Sequence, residues 1–506
     1  MQKKLLFWLS GDVLHFCLSH YLQKDFGYEI DAIIDVPNKP KKFFLEQKLV
    51  NFKNLWFLHD YIKNTEQKPD LEYLEKFEDK YQINLMQLAI NERIFYRFNE
   101  FYQFSSNQIL NILSQECRLF EDILEKTKPD YFITSLTSFH YDHLFSEICK
   151  RKNIKILMLY MSKLGHRCVI SQQANHLDFE IKLSDVKTKN RSFDELLDHF
   201  KSFDIVKQIE DYKSKAGTSK LKKLQALKNF LKNGEQNSNQ TNYTYYGRDR
   251  SKVLMFEIKK SRQVQKRNSF INKNLGRNIP QNKKFVYYPL HIEQERNLLL
   301  AAPFFTNQIE LIRSIAKSLP VNYKLLVKEH PAQETREWRD ISDYKEIMEI
   351  SNVVLMHPTV PSQEILKKCS LVVTIGGTTG LEAAFYRKPS IILSEMDYSI
   401  LPSVELVQDV HKLSNKIKES LKKEVSADDL DRFIQIYEKN SFEFDYMDFV
   451  TKYHENFYFN GNLLDTEINE DDMKLFLQKN ESVLKKVANE HIKKIKEFNR
   501  RGINEK

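Results

Sequence analysis

The chain reads as an α/β protein made of two doubly wound units, with a basic helical segment between them and a helical tail behind. Three observations predict it. Short apolar runs alternate with amphipathic stretches through residues 1–185 and again through 285–405, and β-α-β succession of this kind builds parallel sheets. From about 186 to 284 the alternation degrades into Lys-rich helical stretches at 208–232 and 250–268, around a polar, low-complexity stretch at 233–244, as in a linker or helical insertion. Beyond 405 the pattern turns helical and ends in Val483, Leu484, Val487, Ile492, Ile495 and Phe498, with Lys and Arg between them.

The elements follow in order. Leu5–Leu9 and Ile30–Val36 are strands, and 71–126 is a long, charged, helix-periodic stretch. Lys128 to Ser135 gives a strand, His140–Arg151 a helix and Ile154–Tyr160 a strand. The second unit opens with the strand Phe285–Pro289, followed by the helix Asn307–Ser318 and the strand Tyr323–Val327. Next come a short helix at Tyr344–Ile350, the strand Val353–Met356, the helix Ser362–Cys369 and the strand Leu371–Ile375. The helix Leu381–Arg387 and the strand Ser390–Leu393 close the set. The domains are therefore expected at 1–185, 186–284, 285–405 and 406–506, the two α/β units being Rossmann-like and facing a cleft.

At 506 residues the chain exceeds one compact core, and 41% apolar residues suffice for real ones. Cys17, Cys117, Cys149, Cys168 and Cys369 lack paired spacing and are odd in number, which reads as reduced cytoplasmic thiols. The start, Met1 to Leu9, imitates a signal peptide, but Gly11, Asp12 and His15 interrupt it, so it is read as a strand. No apolar run approaches the ~18 residues of a membrane span. Of the net charge of +9, residues 259–284 hold nine Lys and Arg and no acid. Such a segment suits an anionic substrate, polymer or membrane surface, or a solvated linker. Nucleic acid is not expected, since no binding motif accompanies the charge.

The most informative motif is Gly376-Gly377-Thr378-Thr379-Gly380-Leu381-Glu382, directly after a strand. Three glycines and two hydroxyl residues at a helix start place N–H and O–H donors around one anion, as a phosphate site requires. Glu382, on the first turns, suits ribose hydroxyls. Lys328-Glu329-His330-Pro331 ends another strand, where the proline keeps His330 extended and aimed rather than loosely held. His291 and Glu293, after the strand ending at Pro289, and His357, after Val353–Met356, lie in loops at the same sheet edge and suit base or sugar contacts.

In the first unit, Ser10-Gly11-Asp12 follows one strand and Ser135 to His143 another. A transferase that activates an acceptor hydroxyl needs a base, and Asp12, His140, Asp142 and His143 are the candidates. No residue cluster has metal-ligand spacing.

Tyr288-Pro-Leu-His291, Leu326-Val-Lys-Glu-His-Pro331, Asn352 to Pro358 and Val373 to Pro389 resemble, in order, the capsule polysaccharide biosynthesis family of surface-carbohydrate proteins. That group includes Kdo- and sialyltransferase-like enzymes of GT-B architecture. The resemblance covers about 285–395 and implies a GT-B-like glycosyltransferase that takes a nucleotide-sugar donor, CMP-activated in preference to UDP-activated, and a glycan or glycolipid acceptor. It implies phosphate contacts from His330, Thr378 and Thr379, and ribose or base contacts from Glu382 and nearby loops; the motifs themselves add Lys328, Pro331, Gly376, Gly377 and Gly380 to the expected phosphate site. No metal or other cofactor is expected. The acidic motif that carries the base in some of these families has no counterpart. The expected place is the cytoplasm, with peripheral contact at an anionic inner membrane face as a further expectation. Two competing readings are a non-hydrolysing UDP-sugar 2-epimerase and a non-catalytic glycan-binding component of a capsule assembly complex.

Overall fold

The computed structural model describes residues 3–96, 98–178, 182–202, 220–233, 242–281, 283–335 and 339–504. It divides into two compact units, one made of Met1–Ala174, Phe203–Lys252 and Ser441–Lys506, the other of Asn175–Ser202 and Val253–Asn440. The polar stretch at 234–241 and part of the Lys-rich stretch at 208–232 lie outside the described residues.

The first unit holds a seven-stranded sheet. Its strands are β1 (Lys4–Ser10), β2 (Glu29–Asp35), β3 (Phe52–Phe57), β4 (Tyr131–Ser135), β5 (Lys155–Met161), β6 (Arg167–Ser171) and, from the tail, β13 (Ser441–Glu443), in the order β13-β6-β5-β4-β1-β2-β3. β3 through β5 run parallel, while β6 and β13 pair antiparallel at one edge. The parallel part has the order 3-2-1-4-5, and the strand order reverses between β1 and β4, which is where such sheets open a crevice.

The second unit holds β7 (Lys284–Pro289), β8 (Tyr323–Lys328), β9 (Val353–Met356), β10 (Leu371–Thr374), β11 (Ser390–Ile392) and β12 (Val404–Leu406), in the order β12-β11-β10-β7-β8-β9. All five pairings are parallel. Numbered within the unit this is 3-2-1-4-5-6, with the reversal between β7 and β10. Both faces of the central strands are covered, so β7, β8 and β10 are nearly continuous runs of buried apolar residues.

The helix-periodic stretch at 71–126 forms three helices, Leu71–Tyr81, Leu85–Asn91 and Ser106–Thr127, with an irregular aromatic loop before the last. Gln82, in the left-handed conformation, ends the first, and Asn84 caps the second. Ser105 and Gln108 start the third with a reciprocal capping box.

The helical tail does not stand apart. Helix Glu481–Asn504 lies against helix Val13–Phe26 and β5, and Leu484, Val487 and Ala488 are fully buried. Its apolar stripe is thus core of the first unit. Among the described residues, no helix is long and apolar enough to cross a membrane. All five cysteines are buried and free.

Candidate functional site

In the second unit, the loops after β7, β8 and β10 converge at the carboxyl edge, beside the strand-order reversal. His291 follows β7, and its Nε2 lies 2.9 Å from Thr374 Oγ1 at the end of β10. Its backbone is clamped as well: Gln308 Oε1 accepts from His291 N–H at 2.7 Å and Gln308 Nε2 donates to His291 O at 2.9 Å. Burial, with help from the nearby His330 and Arg339, pushes the His291 pKa down to about 3, so the ring stays neutral. It serves as a rigid wall of the edge.

Gly377 follows, with φ 130° and ψ −173°, a conformation open essentially only to glycine. It caps helix Thr378–Phe385, which begins three residues earlier than the sequence suggests and has no side-chain cap. The first N–H groups of this helix, from Thr378, Thr379 and Gly380, therefore have no intrahelical partner and sit at the positive end of the helix dipole. The Thr378 hydroxyl is bonded to the Glu382 carboxylate. Burial raises the Glu382 pKa, opposed by that hydrogen bond and by Lys328.

Lys328 ends β8 and is 4% exposed, with Nζ donating to Ser362 Oγ at 2.8 Å. Burial pulls its pKa down to about 8, against the pull of Glu382. His330 is half-buried, and its Nδ1 accepts from Ala332 N–H at 3.2 Å. A ring whose Nδ1 accepts in this way has Nε2 as its donor. Pro331 opens the short 3-10 turn that follows.

Four expected contacts have other roles. Glu293 is turned inward, 3.8 Å from the guanidinium of the fully buried Arg339, which also lies 3.0 Å from Glu329; Tyr344 donates to Glu329 at 2.6 Å. A carboxylate so buried needs this cation. His357 is also taken up, with Nδ1 2.6 Å from Thr359 Oγ1 and Nε2 3.0 Å from both Asn272 Oδ1 and Arg277 Nη2. It brackets the end of β9 to the chain around helix Arg250–Asn274. Gly380 is buried with Tyr398 packed on it, where an added Cβ would fall 2.5 Å from the hydroxyl. Its side faces the core and only its N–H remains for the edge. Gly376, packed against Met396, is likewise a spacer.

In the first unit, the four base candidates differ sharply. Asp12 follows β1 and caps the next helix, accepting from Leu14 N–H at 3.0 Å and from the Tyr446 hydroxyl at 2.6 Å. Burial raises its pKa, but His15, Tyr446 and Leu14 together outweigh burial and hold the carboxyl below the usual range. His140 is no base. It is fully buried, with Nδ1 2.9 Å from Glu92 and Nε2 3.1 Å from Glu116, and Glu116 also accepts from Tyr243 at 2.7 Å. Burial alone would lower its pKa, yet the two glutamates raise it to about 10, so the ring is a structural cation.

Asp142, two residues on, accepts from the N–H groups of Ser138 and Phe139 at 2.9–3.1 Å and is 9% exposed. Burial drives its pKa up to about 7; those N–H groups oppose the shift, and Asp35 and Glu92 add to it. A carboxyl poised near neutrality matches the demands of a general base. His143, on the same helix, is half-buried. Among the described residues, no group of three or more His, Cys, Asp or Glu could hold a metal ion.

The residues that sequence reasoning missed are Thr374, Ser362, Arg339, Glu92, Glu116 and Tyr446. Ser362, placed after Pro361 at a helix start, was readable in principle. The others depend on contacts across long stretches of chain.

The order of the second sheet and the glycine turn beside its reversal define a Rossmann-like α/β protein with an anion-suited edge. Residues 189–435 match the model of the capsule polysaccharide biosynthesis protein family, so the family resemblance holds over more of the chain than its motifs span. A search of curated proteins gives no match. Among solved structures, the chain is similar to a Methanocaldococcus jannaschii UDP-GlcNAc 2-epimerase in complex with UDP-GlcNAc and UDP, with 13% identity, a TM-score of 0.24, and coverage of 86% of this chain and 99% of that one. A Neisseria meningitidis UDP-GlcNAc 2-epimerase bound to UDP-GlcNAc gives 13% identity, a TM-score of 0.23 and the same coverage. The Thermosulfurimonas dismutans KpsC, a β-Kdo 2,7 transferase, gives 11% identity and a TM-score of 0.26 over 62% of this chain and 80% of that one.

Proposed function

We propose that the protein is a glycosyltransferase of surface or capsular polysaccharide biosynthesis, moving a sugar from a nucleotide donor held by the second unit to a glycan or glycolipid acceptor. The observation that carries this reading is the joined edge at the reversal between β7 and β10. There, an uncapped helix start after Gly377 lies beside the neutral His291, and Lys328 and His330 follow from the neighbouring strand. In this reading the donor phosphate is met by the N–H groups of Thr378, Thr379 and Gly380, by the Thr379 hydroxyl, by His330 Nε2–H and by the Lys328 ammonium. Glu382 accepts from the ribose hydroxyls. Protein donors carry the phosphate charge, so no metal or other cofactor is assigned a role. In this reading the donor is a CMP-activated ulosonic acid, such as Kdo or sialic acid, in preference to a UDP-sugar, following the resemblance of the motifs at 285–395 to Kdo- and sialyltransferase-like enzymes.

Catalysis follows from differential stabilisation. As the anomeric carbon–oxygen bond to phosphate breaks, negative charge grows on the leaving group, where fixed N–H dipoles and cations are aimed. A base in the first unit takes the acceptor proton, and Asp142 has the pKa that suits the task. Cytoplasmic placement is part of the proposal, together with a peripheral contact with anionic membrane along helix Arg250–Asn274. Met255 and Ile258 are exposed on this helix in the company of Lys259, Arg262 and Lys266.

A thermal-shift panel of CMP, UDP, GDP and a CMP-sugar tests the donor site, since a ligand stabilises by RT ln(1 + [L]/Kd). A cytidine nucleotide is expected to raise the melting temperature, and His330→Ala and Thr379→Ala to reduce that rise. If no nucleotide shifts the melt, or if both variants respond in full, the site assignment is wrong.

A further inference from the structure

One built feature of the first unit has no part in the donor site. Six of the ten residues 95–104 are aromatic and the other four are Arg97, Asn99, Glu100 and Gln103, with no aliphatic side chain among them. Of these, residues 95–96 and 99–104, in the loop between helices Leu85–Asn91 and Ser106–Thr127, line an open cavity of about 690 Å³. That volume falls within the range of about 300–1,000 Å³ usual for ligand sites.

The loop is braced rather than slack. The Asn99 carboxamide folds it on itself, donating to Ile94 O at 2.7 Å and accepting from Phe101 N–H at 3.0 Å. Gln108 Nε2 donates to the Tyr102 hydroxyl at 2.7 Å, and the Tyr102 ring meets Phe104 edge-on at 4.7 Å. Arg248 covers the Phe101 ring at 5.1 Å. Beneath these, Phe95 packs 4.7 Å from the His140 ring, so the buried Glu92–His140–Glu116 group forms the floor.

The position of the loop is functional as well. Glu92 binds both the N–H and the ring of His140, and Arg93 donates to Ser138 O. Both anchors lie in the segment after β4, two and four residues from Asp142, at the carboxyl edge of the first sheet.

The lining then indicates its ligand. Tyr96 is 46% exposed, Phe101 and Tyr102 are half-buried, and Glu100 and Gln103 are exposed. Flat rings suit the C–H faces of pyranoses, whose hydroxyls need amides and carboxylates beside those rings. Among the described lining residues, Glu100 supplies a carboxylate and Asn99 and Gln103 supply amides.

We propose that residues 95–96 and 99–104 form a binding site for a pyranoside chain, holding the growing glycan beside the edge where Asp142 sits. The glycan is the acceptor only if the glycosyltransferase reading stands, and the test separates the two. The full chain without nucleotide is probed by saturation-transfer NMR with purified oligosaccharides of hexose, N-acetylhexosamine and uronic acid repeats, at millimolar concentration. At least one is expected to bind. Tyr96→Ala, at an exposed position, is expected to weaken binding by about tenfold, and Tyr96→Trp to retain it. Neither change should alter the melting temperature or the shift caused by CMP. Lack of binding by every oligosaccharide overturns the proposal, as does a Tyr96→Ala variant that binds like the parent. Glycan binding that depends on Tyr96, in a protein that no nucleotide stabilises, would keep this site and remove the glycosyltransferase reading.

Discussion

His291 Nε2 and Thr374 Oγ1 are 2.9 Å apart, which ties the loop after β7 to the end of β10 where the strand order reverses. This contact fixes the wall against which Gly377 turns. A Cβ on Gly377 would stand 3.6 Å from His291 Cε1, an ordinary contact, so the wall itself would tolerate alanine. The backbone would not, because φ of 130° strains any residue with a side chain. Gly377→Ala is expected to cost about 1–3 kcal/mol and to displace the first N–H groups of the helix. Calorimetry should show a lower melting temperature, and hydrogen exchange should place the loss at the end of β10 and in helix Thr378–Phe385.

Lys328 supplies a pH signature. Its pKa of about 8 lies below the ordinary lysine value because burial opposes the charge, so it is mostly charged at pH 7 and mostly neutral at pH 9.5. A bound phosphate favours the ammonium, so the stabilisation by a nucleotide should weaken as pH rises through about 8. Lys328→Arg stays charged throughout and should flatten this dependence. His330→Ala should weaken binding and leave the slope in place. Melting shifts measured at half-unit intervals from pH 7 to 9.5 decide it, and an unchanged slope in Lys328→Arg would remove Lys328 from the site.

The buried His140 group predicts a stability effect that does not depend on any activity. With a folded pKa of about 10, the native state holds a proton that the unfolded chain releases near the ordinary histidine value. Its contribution is therefore complete below about pH 6.5 and is lost as pH climbs through 10. His140→Ala leaves Glu92 and Glu116 buried without their cation and should cost about 3–5 kcal/mol. Pairing it with Glu116→Gln should cost less than the sum of the two single changes, as expected of groups in direct contact. Urea unfolding of the three variants measures this.

How much of this was legible in the sequence follows the range of the contacts. β7, β8 and β10 could be read because both of their faces are buried and the runs are continuous. β3 was missed because the adjacent, exposed Lys53 and Asn54 interrupt its apolar run and break the period of two, and β12 and β13 because three residues carry no period. The glycine turn and the His330-Pro331 step were readable because backbone chemistry is local. Long-range pairing was not. The partners of His140 lie 48 and 24 residues away, and Tyr446 reaches Asp12 across 434. No period in the sequence announces that a histidine beside a plausible base is itself locked between two carboxylates.

That distinction leaves Asp142 as the base to test. Burial, with Asp35 and Glu92 nearby, holds its pKa at about 7 against the N–H groups of Ser138 and Phe139, so it is ionised at pH 8 and largely protonated at pH 6. If it takes the acceptor proton, the transfer rate should rise through pH 7 to a plateau. Asp142→Asn should lower kcat by about 10²–10⁴-fold and abolish that rise. Asparagine keeps an oxygen for the Ser138 and Phe139 N–H groups, so the cap should survive and the nucleotide-induced melting shift should not change. Stability gives an independent reading. A carboxyl whose folded pKa is raised makes the native state bind the extra proton between about pH 4 and 7, so stability should fall as pH rises across that window. Asp142→Asn should remove that part of the slope. A variant that loses the slope and keeps its rate profile would exclude Asp142 as the base and leave Asp12, with His143, as the remaining candidates.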